Sequence, residues 1–264
     1  MRTASSSGAG RLGALIWTAC GLSGWFLPVA AVAEPASRAY ALVLPETVSA
    51  EGHLAVAYVK SPADAKIELP LLMVDDFDSG EIPDTGDFVE QNVVIALPKG
   101  VRLHTLHDLP EHVFPYFPGL NHANLEAFWG PEQGGRRFGL LCYHQKWGTA
   151  AVVAMDLGTA VESGEQLDVV EMLDAAVEKG LEKTLKNPED AAHYVISYST
   201  ISVDDPSGAL GIGAAVSFHL ALNIEVPKAD DEPTYEGSAT LTLKRGAKGT
   251  MEAKVSDVVV TKAG

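Results

Sequence analysis

The clearest pattern in this chain is an alternation of apolar positions between residues 210 and 226. The apolar positions are Leu210, Ile212, Ala214, Val216, Phe218, Leu220, Leu222, Ile224 and Val226. A sustained period of two predicts a strand with one buried face. At about 3.3 Å per residue it would be about 55 Å long, whereas most strands have about 3–10 residues. We therefore expect it to curve or bulge, with Gly211 and Gly213 as the places.

A second pattern, with a period near 3.6 residues, predicts a long amphipathic helix upstream of that strand. Its apolar stripe is Leu167, Val170, Leu173, Val177, Leu181 and Leu185. Ser163 followed by Gln166 is a capping-box signature for the start of the helix, and Asn187-Pro188 marks its end. An apolar stripe has to be buried, and the long apolar sheet face is the available partner.

Shorter alternating segments predict further strands. In the second half they cover 193–203, 210–226, 235–244 and 250–261, which form an antiparallel meander. In the first half they cover 39–44, 53–60, 66–74, 92–97, 101–105, 138–144 and 149–157. In the last strand Met251 and Val255 share one parity whereas Val258 and Val260 have the other, so we expect a bulge near Asp257.

These elements predict a fold of the α+β class that is mostly β. We expect a curved antiparallel meander sheet packed on one long amphipathic helix, with a further β-rich N-terminal layer. The corresponding organisation is a signal peptide at 1–33, a β-rich N-terminal region at 34–160, and the helix with its four-strand meander at 161–264.

The first 33 residues have the composition of an export signal. Arg2 and Arg11 precede an apolar run that Pro28 interrupts, and the run ends in the small residues 31–33, with no Asp or Glu before Glu34. A basic start, an apolar centre and an A-x-A motif in this order are typical of a removable secretory signal. We expect cleavage near Ala33 and a secreted or periplasmic protein. An uncleaved anchor is the alternative, because about 20 apolar residues span a bilayer.

Charge and cysteine content narrow the classes of partner. The chain carries −16, and loss of Arg2 and Arg11 with the signal would leave 17 Lys and Arg against 35 Asp and Glu, or −18. Nucleic acids and anionic membrane surfaces both require basic protein surface, so neither is an expected partner. Cleavage would also leave Cys142 as the one cysteine, which excludes an intramolecular disulfide.

Histidines at His104, His107 and His112, with His122 downstream, are candidate ligands for a transition metal such as zinc. Along a regular strand His104 and His107 would point to opposite faces. They converge if the backbone turns after the strand, which Pro110 allows. The alternative is a run of solvated histidines beside a loop.

An acidic stretch without any lysine or arginine is a candidate calcium site. It consists of Asp75, Asp76, Asp78, Glu81, Asp84, Asp87 and Glu90. The register of an EF-hand loop fails here, because the position that requires glycine is Glu81. Calcium binding therefore depends on charge density alone, and a solvated acidic loop is the alternative.

Aromatic residues are the candidates for binding an apolar ligand. Phe114, Tyr116 and Phe117 lie among prolines, and Trp129 follows. A proline-stiffened aromatic loop can cover an apolar pocket, although such a loop also commonly packs on its own domain.

The hypothesis that these features favour is an exported, acidic, non-enzymatic protein. It would bind an apolar small molecule, or another exported protein, on its curved sheet. Metal binding by the 104–122 histidines is the second hypothesis, and a hydrolase with a carboxylate-based site is the third. The chain contains no G-x-S-x-G, H-E-x-x-H, C-x-x-C or P-loop motif that would indicate a particular reaction.

Overall fold

Thirteen strands and one α-helix form the part of the chain that the structure, a computed structural model, describes. The described residues are 40–61, 71–73, 89–110, 114–118, 123–146, 148–158, 160, 164–185, 193–204, 213–226 and 234–264. Residues 36–264 belong to one compact unit. The expected signal peptide at 1–33 lies outside the described residues and stays a prediction.

The strands follow one another along the chain, with the helix inserted before the last four. They are β1 (Tyr40–Val43), β2 (Leu54–Ser61), β3 (Leu71–Met73), β4 (Val89–Ala96), β5 (Val101–Thr105), β6 (Asn124–Trp129), β7 (Arg137–Gln145), β8 (Gly148–Leu157), β9 (Glu165–Asp168), β10 (Val195–Val203), β11 (Ala215–Glu225), β12 (Tyr235–Arg245) and β13 (Met251–Lys262). The helix α1 spans Val170–Glu182. With 13 residues, α1 falls short of a membrane crossing, and so does every other helical segment of the described residues.

The strands form three sheets. The first sheet has the order β3-β1-β2-β4-β5, the middle sheet β6-β7-β8-β9, and the last sheet β10-β11-β12-β13. Among the described pairings only β1 with β3 is parallel, and the others are antiparallel. The prediction of a mostly β protein of the α+β class is confirmed.

The middle sheet is covered on both faces. Along β7, Phe138, Leu140 and Cys142 belong to a core cluster shared with the last sheet and α1. The intervening Leu141 and Tyr143 belong to a second cluster shared with the first sheet. Strands buried on both faces have near-continuous apolar sequences, which is why β7 lacks the alternation seen in β11.

The helix starts later than the sequence predicts. Gln166, assigned from its spacing to the first turn, lies in β9 opposite Met155, so the predicted capping box is wrong. The N-cap of the helix is Val169, and the preceding Asp168 accepts the N–H of Val170 on its Oδ1 at 3.0 Å. Ser163 and the predicted stop at Asn187 lie outside the described residues.

The apolar stripe of α1 is confirmed at Leu173, Val177 and Leu181, all of which are fully buried. At Gly180 the helix lies close to β13. A Cβ added there would lie 3.1 Å from Val260 and 3.2 Å from Val258.

The apolar face of β11 is buried by the protein itself, with Val216, Phe218, Leu220, Leu222 and Ile224 at most 4% exposed. β11 begins only after Gly213, where φ is +90°. Positions 210 and 212 lie outside the described residues.

The predicted bulge in β13 is confirmed. Ser238 pairs with Val259 and Thr240 pairs with Ser256, so an advance of two residues along β12 corresponds to three residues along β13. Asp257 in this interval has a φ of +51°. The extra residue lets Val258 and Val260 pack on the same core as Met251 and Val255, which reconciles their parities.

Candidate functional site

A cavity of about 250 Å³ lies between the first sheet and the end of the middle sheet. Its apolar lining consists of Leu54, Ala96, Leu97, Leu103 and Leu157. The polar side chains at its surface are His53, Glu132, Arg136 and Arg137. Of these, His53 and Glu132 are exposed, so they mark its mouth.

Strand ends position the apolar wall. Leu54 begins β2 and pairs with Ala96 at the end of β4. Ala96 also pairs with Val101 at the start of β5, across a turn that contains Gly100 with a φ of +68°. Leu157 ends β8 opposite Arg137 of β7. The cavity therefore occupies a place where the ends of strands from two sheets meet.

A tight turn presents the two arginines. Gly134 and Gly135 have φ values of +59° and +78°. The N–H of Gln133 donates to the carbonyl of Arg136 at 2.7 Å, and the N–H of Arg136 donates back at 3.1 Å. Two positive φ values at the centre of a hairpin turn favour glycine. The turn places Arg136 and Arg137 next to each other, immediately after it.

Arg136 shares a buried carboxylate with a second arginine. Asp156 is fully buried, and its Oδ1 accepts from Nε of Arg136 at 3.2 Å. Arg245 binds the same carboxylate, with Nε to Oδ2 at 2.7 Å and Nη2 to Oδ1 at 2.8 Å. The guanidinium of Arg245 also lies over the ring of Phe138, 5.1 Å from its centroid. The three charged groups together carry one positive charge.

Arg136, which lines the cavity, has hydrogen-bond donors that Asp156 does not use. Its contacts to Asp156 use Nε and Nη2, so within the described residues Nη1 meets no acceptor. The side chain is 32% exposed. A guanidinium presents five N–H donors and no acceptor, so a free Nη1 favours an oxygen-bearing group.

Arg137 binds Glu51 instead, with Nη1 donating to Oε2 at 3.0 Å. This hydrogen bond lowers the pKa of Glu51 below its ordinary value. The Arg137 side chain is only 9% exposed, so this pair helps close the polar end of the cavity.

The predicted ligand-binding aromatic residues pack within their own domain. Tyr116 is buried in the core between the first and middle sheets, and Phe114 and Trp129 pack against that core. Phe117 contacts Tyr58, with ring centroids 5.7 Å apart and the ring planes tilted by 48°. None of the four lines the cavity described above, and their role in ligand binding stays a prediction.

Hydrogen bonds hold two of these aromatic residues in place. The N–H of Tyr116 donates to Oδ1 of Asn92 at 2.6 Å, and Nδ2 of Asn92 donates to the carbonyl of Tyr116 at 2.7 Å. Nε1 of Trp129 donates to the carbonyl of Thr47 at 2.8 Å. These contacts fix the loop and strand on the domain.

His104 and His107 are brought together, with ring centroids 5.8 Å apart. Gln166 lies between them. Its Oε1 is 3.2 Å from Nε2 of His104, and its Nε2 donates to the carbonyl of His107 at 2.6 Å. His112 and His122 lie outside the described residues. Within the described ranges, no group of three or more His, Cys, Asp or Glu is arranged to hold a metal ion.

The acidic stretch is represented in the structure by Glu90 alone. Its carboxylate pairs with Lys60 at 3.2 Å. Residues 75, 76, 78, 81, 84 and 87 lie outside the described residues, so the calcium hypothesis stays a prediction.

An Asp–His–Thr chain lies on the outer face of the last sheet. Nε2 of His219 is 2.9 Å from Oδ1 of Asp204, and its Nδ1 is 3.2 Å from Oγ1 of Thr240. Acyl transfer by such a chain also requires donors for the oxyanion. β12 is paired along both edges, so its backbone N–H groups are committed to the sheet.

Comparisons with protein families, with curated proteins and with solved structures find no match for this chain. The cavity was not predicted from the sequence, because its lining comes from separate segments between residues 53 and 158. The one local sequence feature that could have pointed to the cavity is the Gly134-Gly135 pair, which favours a tight turn, followed directly by two arginines.

Proposed function

We propose that this is an exported, acidic, non-enzymatic protein that binds a small apolar molecule in the cavity beside Arg136. The observation that carries the proposal is the cavity itself, about 250 Å³ in volume with five apolar residues in its lining. Apolar walls with a few convergent polar groups are typical of small-molecule sites.

The volume limits the size of the ligand. An engineered apolar cavity of about 150 Å³ accommodates benzene, so the present cavity suits a molecule of about ten non-hydrogen atoms. At about 0.5–0.8 kcal/mol per atom, between the limits known for small and drug-sized ligands, the binding free energy would be about 5–8 kcal/mol. This corresponds to a Kd between about 1 and 200 μM.

The cavity is a better site than the long apolar strand that first suggested ligand binding. The apolar face of β11 packs in the same core as Leu173 and Val177 of α1, so a ligand would have to displace the helix. We propose that the last sheet curves around α1, which the close approach at Gly180 and the bulge at Asp257 support.

Titration with 1-octanol tests the proposal, read by calorimetry or by the fluorescence of a displaced apolar dye. Ala96→Phe adds a ring towards the cavity and should weaken binding at least about tenfold. Ala221→Phe, on the outer face of β11, is the matched control and should leave binding unchanged. No saturable binding to the wild-type protein, or equal binding by both variants, would contradict the proposal.

Metal binding by His104, His107 and His112 is a second proposal, supported by the 5.8 Å separation of the first two rings. Zinc would have to displace Gln166 from Nε2 of His104. Elemental analysis of the native protein and of His104→Ala and His107→Ala tests it. Equal metal content in all three proteins would dispose of it.

A hydrolase with a carboxylate-based site remains the third proposal, and Asp204, whose carboxylate lies 2.9 Å from Nε2 of His219, is a described carboxylate on which it can be tested. Its test is hydrolysis of a simple activated ester by the wild-type protein and by His219→Gln. Equal rates for the two proteins would exclude this Asp–His pair as the site.

A further inference from the structure

Arginines are concentrated at one end of the cavity. Of the four arginines in the described residues, Arg136 and Arg137 line that end and Arg245 binds Asp156 beside Arg136, while the chain as a whole carries a charge of −16. They face two carboxylates, Asp156 and Glu51, at 2.7–3.2 Å. These three arginines and two carboxylates together carry one positive charge, in a strongly acidic protein.

We propose that the ligand of this cavity is an amphipathic anion, with its apolar chain on the leucine wall and its anionic group on Nη1 of Arg136. This inference rests on the proposed function, since it concerns the ligand of the same cavity. Carboxylate and phosphate monoesters share the required chemistry, which is an anionic oxygen that accepts an N–H.

The excess positive charge is effective because the groups around it are partly removed from water. Asp156 is fully buried and Arg245 is 4% exposed, and charge-assisted hydrogen bonds strengthen as the local dielectric falls. Glu132, the remaining acid of the lining, is exposed at the mouth. Water and salt screen its charge, so it opposes an anionic ligand only weakly.

Arg136 can be changed without unpairing the buried carboxylate. In Arg136→Gln, Asp156 would keep both hydrogen bonds from Arg245. Arg136→Lys keeps the charge but loses the planar fork that binds two oxygens at once. Lys99→Gln removes a positive charge from an exposed turn residue outside the cavity lining, so it is the matched control for net charge.

The test is calorimetric titration of the full chain with octanoate, octyl phosphate and 1-octanol, which share one apolar chain. The wild-type protein should bind the better of the two anions at least about tenfold more tightly than octanol. Arg136→Gln should bring that ratio close to one, mainly by weakening the binding of the anions. Lys99→Gln should keep the wild-type ratio, and Arg136→Lys should fall between.

The outcomes separate this inference from the proposed function. Equal affinity of octanol and both anions for the wild-type protein would overturn the anion proposal and leave apolar binding standing. A preference for anions that persists in Arg136→Gln would also overturn it. Failure of all three probes to bind would overturn the proposed function and this inference together. Whichever anion binds more tightly identifies the head group.

Discussion

Arg245 of β12 binds Asp156 of β8 through two parallel hydrogen bonds, of 2.7 Å from Nε and 2.8 Å from Nη2. Residue 245 is 4% exposed and residue 156 fully buried. The pair joins the last sheet to the middle sheet. Because Arg136 binds the same carboxylate, the pair also supports the polar end of the cavity.

Arg245→Met should destabilise the protein by about 3 kcal/mol, because removal of one partner of a buried ion pair commonly costs about 3–5 kcal/mol and Arg136 would still bind Asp156. Urea unfolding measures this free energy. Lys244→Met, at an exposed position on the same strand, should change it by less than about 0.5 kcal/mol. Equal losses in the two variants would show that the pair does not stabilise the fold.

The contact of α1 with its core can be tested by truncation of two neighbouring residues. Leu173 is fully buried and Met172 is 40% exposed. Leu173→Ala should lower the free energy of unfolding by about 2–5 kcal/mol through lost burial and a residual cavity. Met172→Ala should lower it by less than about 1 kcal/mol. If Met172→Ala lowers the free energy of unfolding more than Leu173→Ala does, the buried face of α1 is not the one that contains Leu173.

The bulge in β13 depends on a left-handed residue. Asp257 has a φ of +51°, a conformation that Asn tolerates and that costs a β-branched residue about 1–2 kcal/mol. Asp257→Val should therefore be destabilised by about that amount relative to Asp257→Asn in urea unfolding. Equal stability of the two variants would show that the strand does not need this conformation.

Stability should fall when the pH is lowered through the range in which His144 takes up a proton in the unfolded chain. Burial lowers the pKa of His144 in the folded protein, against the opposing effect of Glu126. Between that lowered pKa and the ordinary value near 6.5, the unfolded state binds more protons, so the free energy of unfolding decreases as pH falls.

His144→Gln should remove this part of the pH dependence, which urea midpoints at pH 7.5 and pH 5 would reveal. The side-chain amide of the glutamine can replace the hydrogen-bonding groups of the neutral imidazole, whose Nδ1 is 3.1 Å from Oγ1 of Thr149. His219→Gln is the control at a half-exposed histidine. If the pH dependence of the urea midpoint persists in His144→Gln but disappears in His219→Gln, it arises from His219 and the assignment to His144 is wrong.

Local periodicity predicted the elements whose buried residues recur at a regular spacing along the sequence. The stripe of α1, the alternation of β11 and the bulge at Asp257 are all readable over a few neighbouring residues. β6 was missed because its alternation of Asn124 and Glu126 with Leu125 and Ala127 is short. β9 was missed because its four residues contain a single apolar one, Leu167. The Ser163–Gln166 spacing was misread because the pairing of Gln166 with Met155 competes with the helix.

The candidate site was not predictable in this way, because its contacts join distant segments. Arg245 and Asp156 are 89 positions apart, and Arg137 and Glu51 are 86 apart. Sequence spacing carries no information on such partners. The aromatic residues Phe114 and Trp129 were proposed as ligand contacts because they are large, yet they pack against the core of their own domain.

The central claim, that the cavity binds a small apolar molecule, is tested most directly by methyl NMR during titration with 1-octanol. We predict saturable shifts confined to the methyl groups of Leu54, Leu97, Leu103 and Leu157, with loss of those shifts in Ala96→Phe. Unchanged cavity methyls, or shifts centred on Ile201 and Val259 of the outer sheet face, would contradict the account.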